Sequence, residues 1–395
     1  MLFAVSACMG SKKTESTAAT GPLPYKSPRS PLTSTFSYDV LDTVQPDDPG
    51  YTGTGAAMRP ANVAGEQESV YDALNAPSAW FHQTDCDELR IGVVDSGLDT
   101  THPDLAANLF NVGSVGSPAY GYNFVNNSSN VSDDNSHGTH VAGAIAAVGD
   151  NGIGVVGVCW KAKVIAAKVA DANGSALLSD VVDGLTWVLN HDARIVNISM
   201  GTFIASTTLS ENEQFEDAFA SVVKKAAQKD ALIIAAAGNA GADANTHRTY
   251  PANLTSDRVL SVAANAEGFL SYESLLQISN FGGRTVHVSA PGYNMLSTMP
   301  FGFNLETDDS EPAIYVDYGL KTGTSMAAPM VAGTLALMWD HIGVNSIGGD
   351  ELLELFLNYV QPHTTGTLGQ PGKYLLTGAK LDMGTALEAA HGYVP

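Results

Sequence analysis

Five short runs rich in Val, Ile and Ala recur through the middle of the chain: Arg90–Val94, Lys163–Ala170, Arg194–Met200, Ala231–Gly238 and Val259–Asn265. Apolar residues fill both strand faces in most of them, so such strands must be covered on both sides. Helical patterns lie between the runs. Val181, Val182, Leu185, Val188 and Leu189 share one helical face, and so do Phe215, Phe219, Val222, Val223 and Ala226. This alternation predicts an α/β fold, a three-layer sandwich with a mostly parallel central sheet flanked by helices. Ligands of such sheets gather beyond the carboxyl ends of the strands, so the loops there are the place to look for chemistry.

The 395 residues are 44% hydrophobic and only 15% charged, enough to bury a substantial core. Lys plus Arg number 19 against 41 Asp plus Glu, a net charge of −22. That excess repels phosphate backbones and anionic headgroups, which argues against a nucleic-acid partner. No apolar run approaches the roughly eighteen residues of a membrane span. The three cysteines, Cys8, Cys86 and Cys159, are too few for a disulfide scaffold and are not spaced as a zinc site.

Both ends of the chain's first fifty residues carry a reading. Val5-Ser6-Ala7-Cys8 looks like a bacterial lipobox, although residues 1–8 lack a basic n-region and have a short apolar stretch. They are expected to be a truncated lipoprotein signal with a lipid anchor at Cys8, and the protein to be exported to the bacterial envelope or exterior. Residues 9–44, rich in Ser, Thr and Pro, read as a disordered tether. Residues 45–391 then form the one folded domain.

Three loops hold candidate chemistry. Asp95 ends Ile91-Gly-Val-Val-Asp95 and precedes Ser96-Gly97, where a carboxylate can be held rigidly; the same triplet is also an ordinary turn. His137 opens His137-Gly-Thr-His140-Val-Ala-Gly143, whose small residues let a helix lie close on the sheet. A metal reading of His137 and His140 with Asp133 and Asp134 fails, because no Glu stands between the histidines in the zinc-protease pattern. Ser325 lies in Gly323-Thr-Ser325-Met-Ala-Ala-Pro329. Pro329 is expected within a first helical turn, which sets the Ser325 hydroxyl at a helix N-terminus favourable to developing negative charge. Taken singly, each of the three has a bland reading as turn, cap or core residue.

In the order Asp95, His137, Ser325 the motifs resemble those of the subtilisin-like serine proteases, the subtilases, over about Gln45 to Ala390. The resemblance implies a serine endopeptidase with Ser325 as nucleophile, His137 as general base and Asp95 fixing the imidazole. Asn239, ending Ala235-Ala-Ala-Gly-Asn239, matches the oxyanion Asn. Ser199, Met200 and Gly201 match the segment that pairs with extended substrate, and Ala236, Gly238 and Thr249 the P1 pocket. These neutral residues imply uncharged, fairly bulky P1 side chains. Gly149-Asp-Asn151-Gly-Ile153-Gly-Val155 resembles a calcium loop, with Asn151, Ile153 and Val155 as ligands beside Asp48 and Asp104. The overlapping Gly152-Ile-Gly154-Val-Val-Gly157 precedes a strand, so it is not a dinucleotide fingerprint. If the strands following Cys86 and Cys159 are neighbours, as in relatives, the two thiols come within bridging distance.

The sequence also departs from the family pattern. Residues 9–65 are too irregular for a compact inhibitory prodomain, Met330 replaces the usual His, and Pro300 to Tyr318 look long and acidic, fit to shape a cleft rim. An α/β-hydrolase would need Gly-x-Ser-x-Gly, and the second Gly is missing. A monomer acting on polypeptides is expected. A binding protein with a dead protease fold is the rival of another class, opposed by all four catalytic positions being filled.

Overall fold

The computed structural model describes residues 2–4, 43–53, 65–114, 116–204, 209–266, 275–305, 314–362 and 374–394. Cys8 and almost all of the tether reading lie outside the described residues. In chain order the strands are β1 (Leu2–Ala4), β2 (Asp85–Asp95), β3 (Gly121–Asn123), β4 (Lys161–Lys168) and β5 (Ser175–Leu177). They continue with β6 (Ala193–Ile198), β7 (Thr202–Ile204), β8 (Leu232–Ala236), β9 (Arg248–Tyr250) and β10 (Val259–Asn265). The last are β11 (Val288–Pro291), β12 (Met295–Leu305), β13 (Ile314–Lys321), β14 (Gln361–Pro362) and β15 (Ala379–Lys380). The helices are α1 (Pro49–Thr52), α2 (Glu68–Ala73), α3 (Ala76–His82), α4 (His137–Ala146) and α5 (Leu178–Asn190). After them come α6 (Leu209–Gln228), α7 (Thr324–Ile342), α8 (Gly349–Tyr359) and α9 (Met383–His391).

The five apolar runs become β2, β4, β6, β8 and β10 of one nine-stranded sheet, ordered β14-β15-β11-β10-β8-β6-β2-β4-β3. Every pairing in it is parallel except the β14–β15 edge. Successive residues of a strand point to opposite faces. Thus Leu232, Ile234 and Ala236 enter one core, with Val141 of α4 and Val331 and Leu335 of α7. Ile233 and Ala235 enter the other, with Val181 and Leu185 of α5 and Phe215 and Phe219 of α6. The two cores make the three-layer sandwich that the alternation predicts. Val182 and Val223 sit at the edge of the second core, half-buried. A buried aromatic such as Phe219 would cost about 3–5 kcal/mol on truncation to Ala.

Three details differ from the sequence pattern. β2 begins five residues earlier than the apolar run, because a register shift between Cys86 and Arg90 lets the polar start of the strand pair with β4. Cys86 therefore lies inside the strand, and it is bonded to Cys159 with the Cα atoms 5.7 Å apart. Pro329 is not in the first turn: α7 begins at Thr324, so the proline is its sixth residue. Leu2–Ala4, inside the segment read as an export signal, pairs antiparallel with β5. The acidic stretch before the serine loop is the hairpin β12–β13, whose tip, residues 306–313, lies outside the described residues.

Candidate active site

Parallel strands deliver their carboxyl ends to one edge of the sheet, and Asp95 is the last residue of β2 there. It is 1% exposed. Its Oδ1 accepts from the Ser96 backbone N–H at 2.7 Å and lies 2.8 Å from His137 Nδ1. Its Oδ2 has no hydrogen-bond partner among the described residues. His137 is the first residue of α4, and the residue before it, Ser136, adopts φ +80°. A left-handed serine is strained and must be held by its surroundings. Asp133 does so: Oδ1 accepts from Ser96 Oγ, Asn135 N and Ser136 N, and Oδ2 from Thr139 N and Thr139 Oγ1, all at 2.7–3.0 Å. This one carboxylate satisfies orphan N–H groups of the helix start and ties it to the Asp95 loop. Ser96 Oγ in turn accepts from Gly138 N at 2.9 Å.

Two lysines support the same corner. Lys168, paired in register with Asp95 across β2–β4, is buried. Its ammonium donates to the Ser96 carbonyl, to Asp134 Oδ1 at 2.6 Å and to the Ala170 carbonyl at 3.0 Å. Lys321, the last residue of β13, donates to Ser136 Oγ at 3.0 Å. Burial pulls its pKa down, against the opposing charges of Asp133 and Asp95. The β12–β13 hairpin also grips α4 directly, with Ser297 Oγ on the His140 carbonyl and Thr298 Oγ1 on the Thr139 carbonyl. His140 faces the hairpin and not a metal: its Nε2 lies 3.0 Å from the carbonyls of Met295 and Gly319. Burial first, then the charges of Lys321 and His137, push its pKa down to about 3. Its Nδ1 has no hydrogen-bond partner among the described residues, and Met330 is fully buried.

Ser325 is the second residue of α7, which packs against α4. Its Oγ donates to the Ser199 carbonyl at 2.8 Å, and Ser199 Oγ donates to the Ser325 carbonyl at 2.8 Å. Pro329 explains the second bond. The Ser325 carbonyl would ordinarily accept from the N–H four residues on, and proline has none. Ser199 supplies the missing donor. The hydroxyl of Ser325 thus rests on the carbonyl of the residue that follows β6.

Asn239 follows β8. Its Oδ1 accepts from Thr324 N at 2.9 Å and Thr324 Oγ1 at 3.0 Å, which fixes the amide. Thr324 Oγ1 also accepts from Gly238 N at 3.1 Å. A Cβ on Gly323, at φ +149°, would stand 2.9 Å from Asn239 Nδ2, so this loop needs glycine there. The pocket candidates converge as well. A Cβ on Gly201 would lie 2.8 Å from Thr249 Cγ2, and one on Gly238, at φ +103°, 2.8 Å from Thr249 Oγ1 and 2.5 Å from Asn280 Nδ2. Ala236 ends β8 and is buried. The Met200 side chain packs in the core with Ile198 and Phe215, so only its backbone is available to a peptide.

Asn280 carries no sequence motif that singled it out. Its Oδ1 accepts from Ala240 N and Ala242 N, and its Nδ2 donates to the Ala237 carbonyl and to Thr249 Oγ1. One amide therefore fastens the loop after Asn239 to Thr249. Asp133, Lys168 and Thr324 were equally invisible as supports. Asp133 and Thr324 stand within a few residues of His137 and Ser325, and Lys168 is the last residue of β4.

Away from this edge, Asp48 and Asp104 approach the 150–155 loop and are both fully buried. Asp48 accepts from Asp150 N at 2.8 Å and Asn151 N at 3.2 Å. Asp104 accepts from Asn151 Nδ2 and Val155 N, each at 2.8 Å. Burial raises Asp48 to about 6 and Asp104 to about 8, and neither has an ion-pair partner among the described residues. Two buried carboxylates without a cation, bridged by Asn151, fit a hard divalent ion. Among the described residues, no three His, Cys, Asp or Glu side chains group as a metal site. The remaining ligands would have to be backbone carbonyls, the role expected of Ile153 and Val155.

An acid–imidazole couple and a helix-start serine are thus set on the carboxyl edge of a doubly covered parallel sheet. The chain belongs to the subtilase family, whose profile matches residues 87–360. It is 34% identical over 267 residues to subtilisin NAT of Bacillus subtilis subsp. natto, a match covering 67% of this chain and 59% of that protein. Identity is also 34% over 267 residues to subtilisin of Bacillus pumilus, covering 67% of this chain and 82% of that protein. The solved structure of a cold adapted subtilisin-like serine proteinase superposes with a TM-score of 0.54 at 27% identity, covering 71% of this chain and 85% of that one.

Proposed function

We propose that the chain is a serine endopeptidase in which Ser325 attacks the scissile carbonyl. His137 takes the hydroxyl proton and returns it to the leaving amine, and Asp95 holds the imidazole tautomer and stabilises its cation. Asn239 Nδ2 and the Ser325 backbone N–H would donate to the oxyanion of the tetrahedral intermediate. The acyl-enzyme on Ser325 then yields to water by the same proton relay. The observation that carries this reading is the 2.8 Å Asp95–His137 couple on α4, packed beside the helix whose second residue is Ser325. A dead fold kept only for binding would have no reason to retain the fixed Asn239 amide opposite that serine.

An organofluorophosphate should label Ser325 alone, and Ser325→Ala should abolish both labelling and peptide cleavage. Peptide hydrolysis that survives this substitution would overturn the assignment. Substrate is read as an extended polypeptide pairing with the Ser199–Gly201 backbone, its P1 side chain in the pocket of Ala236, Gly238 and Thr249. A P1 series should favour uncharged, bulky residues; strong preference for Arg or Lys would refute the pocket reading.

Calcium is proposed as a structural ion held by Asp48, Asp104, Asn151 and the carbonyls of Ile153 and Val155. When bound it would neutralise the two buried carboxylates; it takes no part in the proton relay. The protein is further proposed to act as a monomer and to be exported, with residues 1–8 as lipoprotein signal, a lipid on Cys8 and residues 9–44 as tether. The mass of the mature N-terminus in extracted full-length protein tests that arrangement.

A further inference from the structure

The first strand takes no part in the nine-stranded sheet. β1 pairs antiparallel with β5, Leu2 opposite Leu177, Phe3 opposite Ala176 and Ala4 opposite Ser175. It also lies against β7. Both neighbours lead back to the candidate site. β7 continues the chain directly from Ser199–Gly201, and its Phe203 is in register with Thr249 of β9. Ala176 of β5 bridges to Ala170, whose N–H, with that of Val169, donates to the Asp95 carbonyl. Leu2–Ala4 therefore touches both the wall that starts at Asp95 and the wall that starts at Ser199.

We propose that Leu2–Ala4 occupies the groove in which an extended peptide substrate lies, and competes with substrate as a built-in ligand of the β5 edge. The inference rests on the serine-endopeptidase reading of the site and adds to it a segment that governs access. The β5 edge is preformed. Asp171 Oδ1 accepts from Asn173 N and Ser175 N, each at 2.9 Å, and Gly174 at φ +73° closes the turn that leads into the strand. Such an edge takes up an extended segment through backbone hydrogen bonds, which any sequence can supply. A strand of this chain and a strand of substrate are therefore alternatives. Leu177 and Phe203, on the two flanking strands, hold apolar side chains at the solvent surface, which suits an uncharged segment such as Leu2-Phe3-Ala4.

Three paired residues make a marginal ribbon by themselves. Covalent attachment changes the balance: it holds the strand near the groove at an effective concentration of up to about a millimolar, so a pairing too weak to last between separate molecules still fills it. The occupancy is reversible, and a longer substrate that also reaches the pocket of Thr249 displaces the strand. Hydrolysis of the Ala7–Cys8 peptide bond by water, which the lipoprotein reading requires, takes Leu2–Ala4 away and leaves the groove open. A chain that still carries residues 1–7 is therefore the less active form.

The test is the anisotropy of a fluorescent peptide of sequence LFAVSA titrated with three proteins, all carrying Ser325→Ala so that neither protein nor peptide is cut. They are the full chain, the chain lacking residues 2–7, and the full chain with Leu2→Pro and Phe3→Pro. Adjacent prolines remove a ladder N–H whichever of the two residues donates to β5. With the strand in the groove in about nine molecules of ten, both altered proteins bind the peptide about tenfold more tightly than the full chain. Amide hydrogen exchange at residues 175–177, measured without peptide, should quicken in both. Equal peptide affinity in the three proteins, or unchanged exchange at 175–177, overturns the inference. The same three proteins with Ser325 restored are then treated with an organofluorophosphate, a reagent too small to need the β5 edge, and equal labelling is expected. Equal labelling with equal peptide affinity removes the groove inference alone. No labelling of any of the three removes the endopeptidase reading and the inference that rests on it.

Discussion

Ser199 and Ser325 hold each other through a pair of hydrogen bonds, and Pro329 makes one of them irreplaceable. Ser199→Ala removes a hydroxyl that lies, 1% exposed as a residue, between Asn197 Nδ2 at 2.9 Å and the Ser325 carbonyl at 2.8 Å. The carbonyl then has no donor, since residue 329 has no N–H, and a buried unsatisfied group costs about 1–3 kcal/mol. Asn197, whose Oδ1 already lacks a partner, loses its Nδ2 acceptor as well. The expected destabilisation is about 2–4 kcal/mol. In a Pro329→Ala background the helix regains its N–H to the Ser325 carbonyl, so the first part of that loss is recovered. The double-mutant cycle should therefore show a coupling of about 1–2 kcal/mol. Urea unfolding in calcium-containing buffer measures it, with all four proteins in the Ser325→Ala background so that none digests itself. Additivity within about 0.5 kcal/mol would refute the argument that Ser199 substitutes for the donor missing at Pro329.

Asp133→Asn should cost about 2 kcal/mol and lower kcat, because an amide can accept on one oxygen only while five donors address two; unfolding free energy and kinetics report it. Asn239→Ala should lower kcat by about 10²–10³ with little change in KM, as loss of an oxyanion donor does. For the Cys86–Cys159 bond, which spans 73 residues, thiol titration of unreduced, denatured protein should find at most one free thiol, that of Cys8. Cys86→Ser with Cys159→Ser should lower stability by about 4 kcal/mol. EDTA should lower the melting temperature, and Asp104→Asn should remove the calcium-dependent part of it; a midpoint indifferent to EDTA would refute the calcium reading.

Much of the fold was legible because its signals are local. Runs apolar on both strand faces announce β2, β4, β6, β8 and β10, and 3.6-residue faces announce α5 and α6. The start of β2 was not legible, since polar Asp85 pairs with Lys161 while Asp87 and Glu88 fall in the register shift between Cys86 and Arg90, so no apolar pattern marks it. Nor was the position of Pro329. A proline in the sixth helical place looks forbidden until a side chain from the loop after β6 supplies the bond it removes.

The candidate site divides in the same way. Asp95, His137, Asn239 and Ser325 announce themselves because each stands in a short run of small residues that resembles a subtilase motif. Asp133, Lys168, Thr324 and Asn280 do not, although each fixes a loop or helix start at the site. As single residues they are ordinary turn, strand and cap types, and their partners lie 6, 72, 85 and 40 residues away respectively.

By itself the sequence determined the layers, the order of the motifs and which residue types could do chemistry, because backbone periodicity and side-chain identity are properties of short segments. Only the tertiary structure decided that the Ser325 hydroxyl rests on Ser199, that one carboxylate caps the histidine helix, and that Leu2–Ala4 pairs with β5. Those are choices of hydrogen-bond and packing partner, and a partner is chosen by where the chain crosses itself, which no local pattern records.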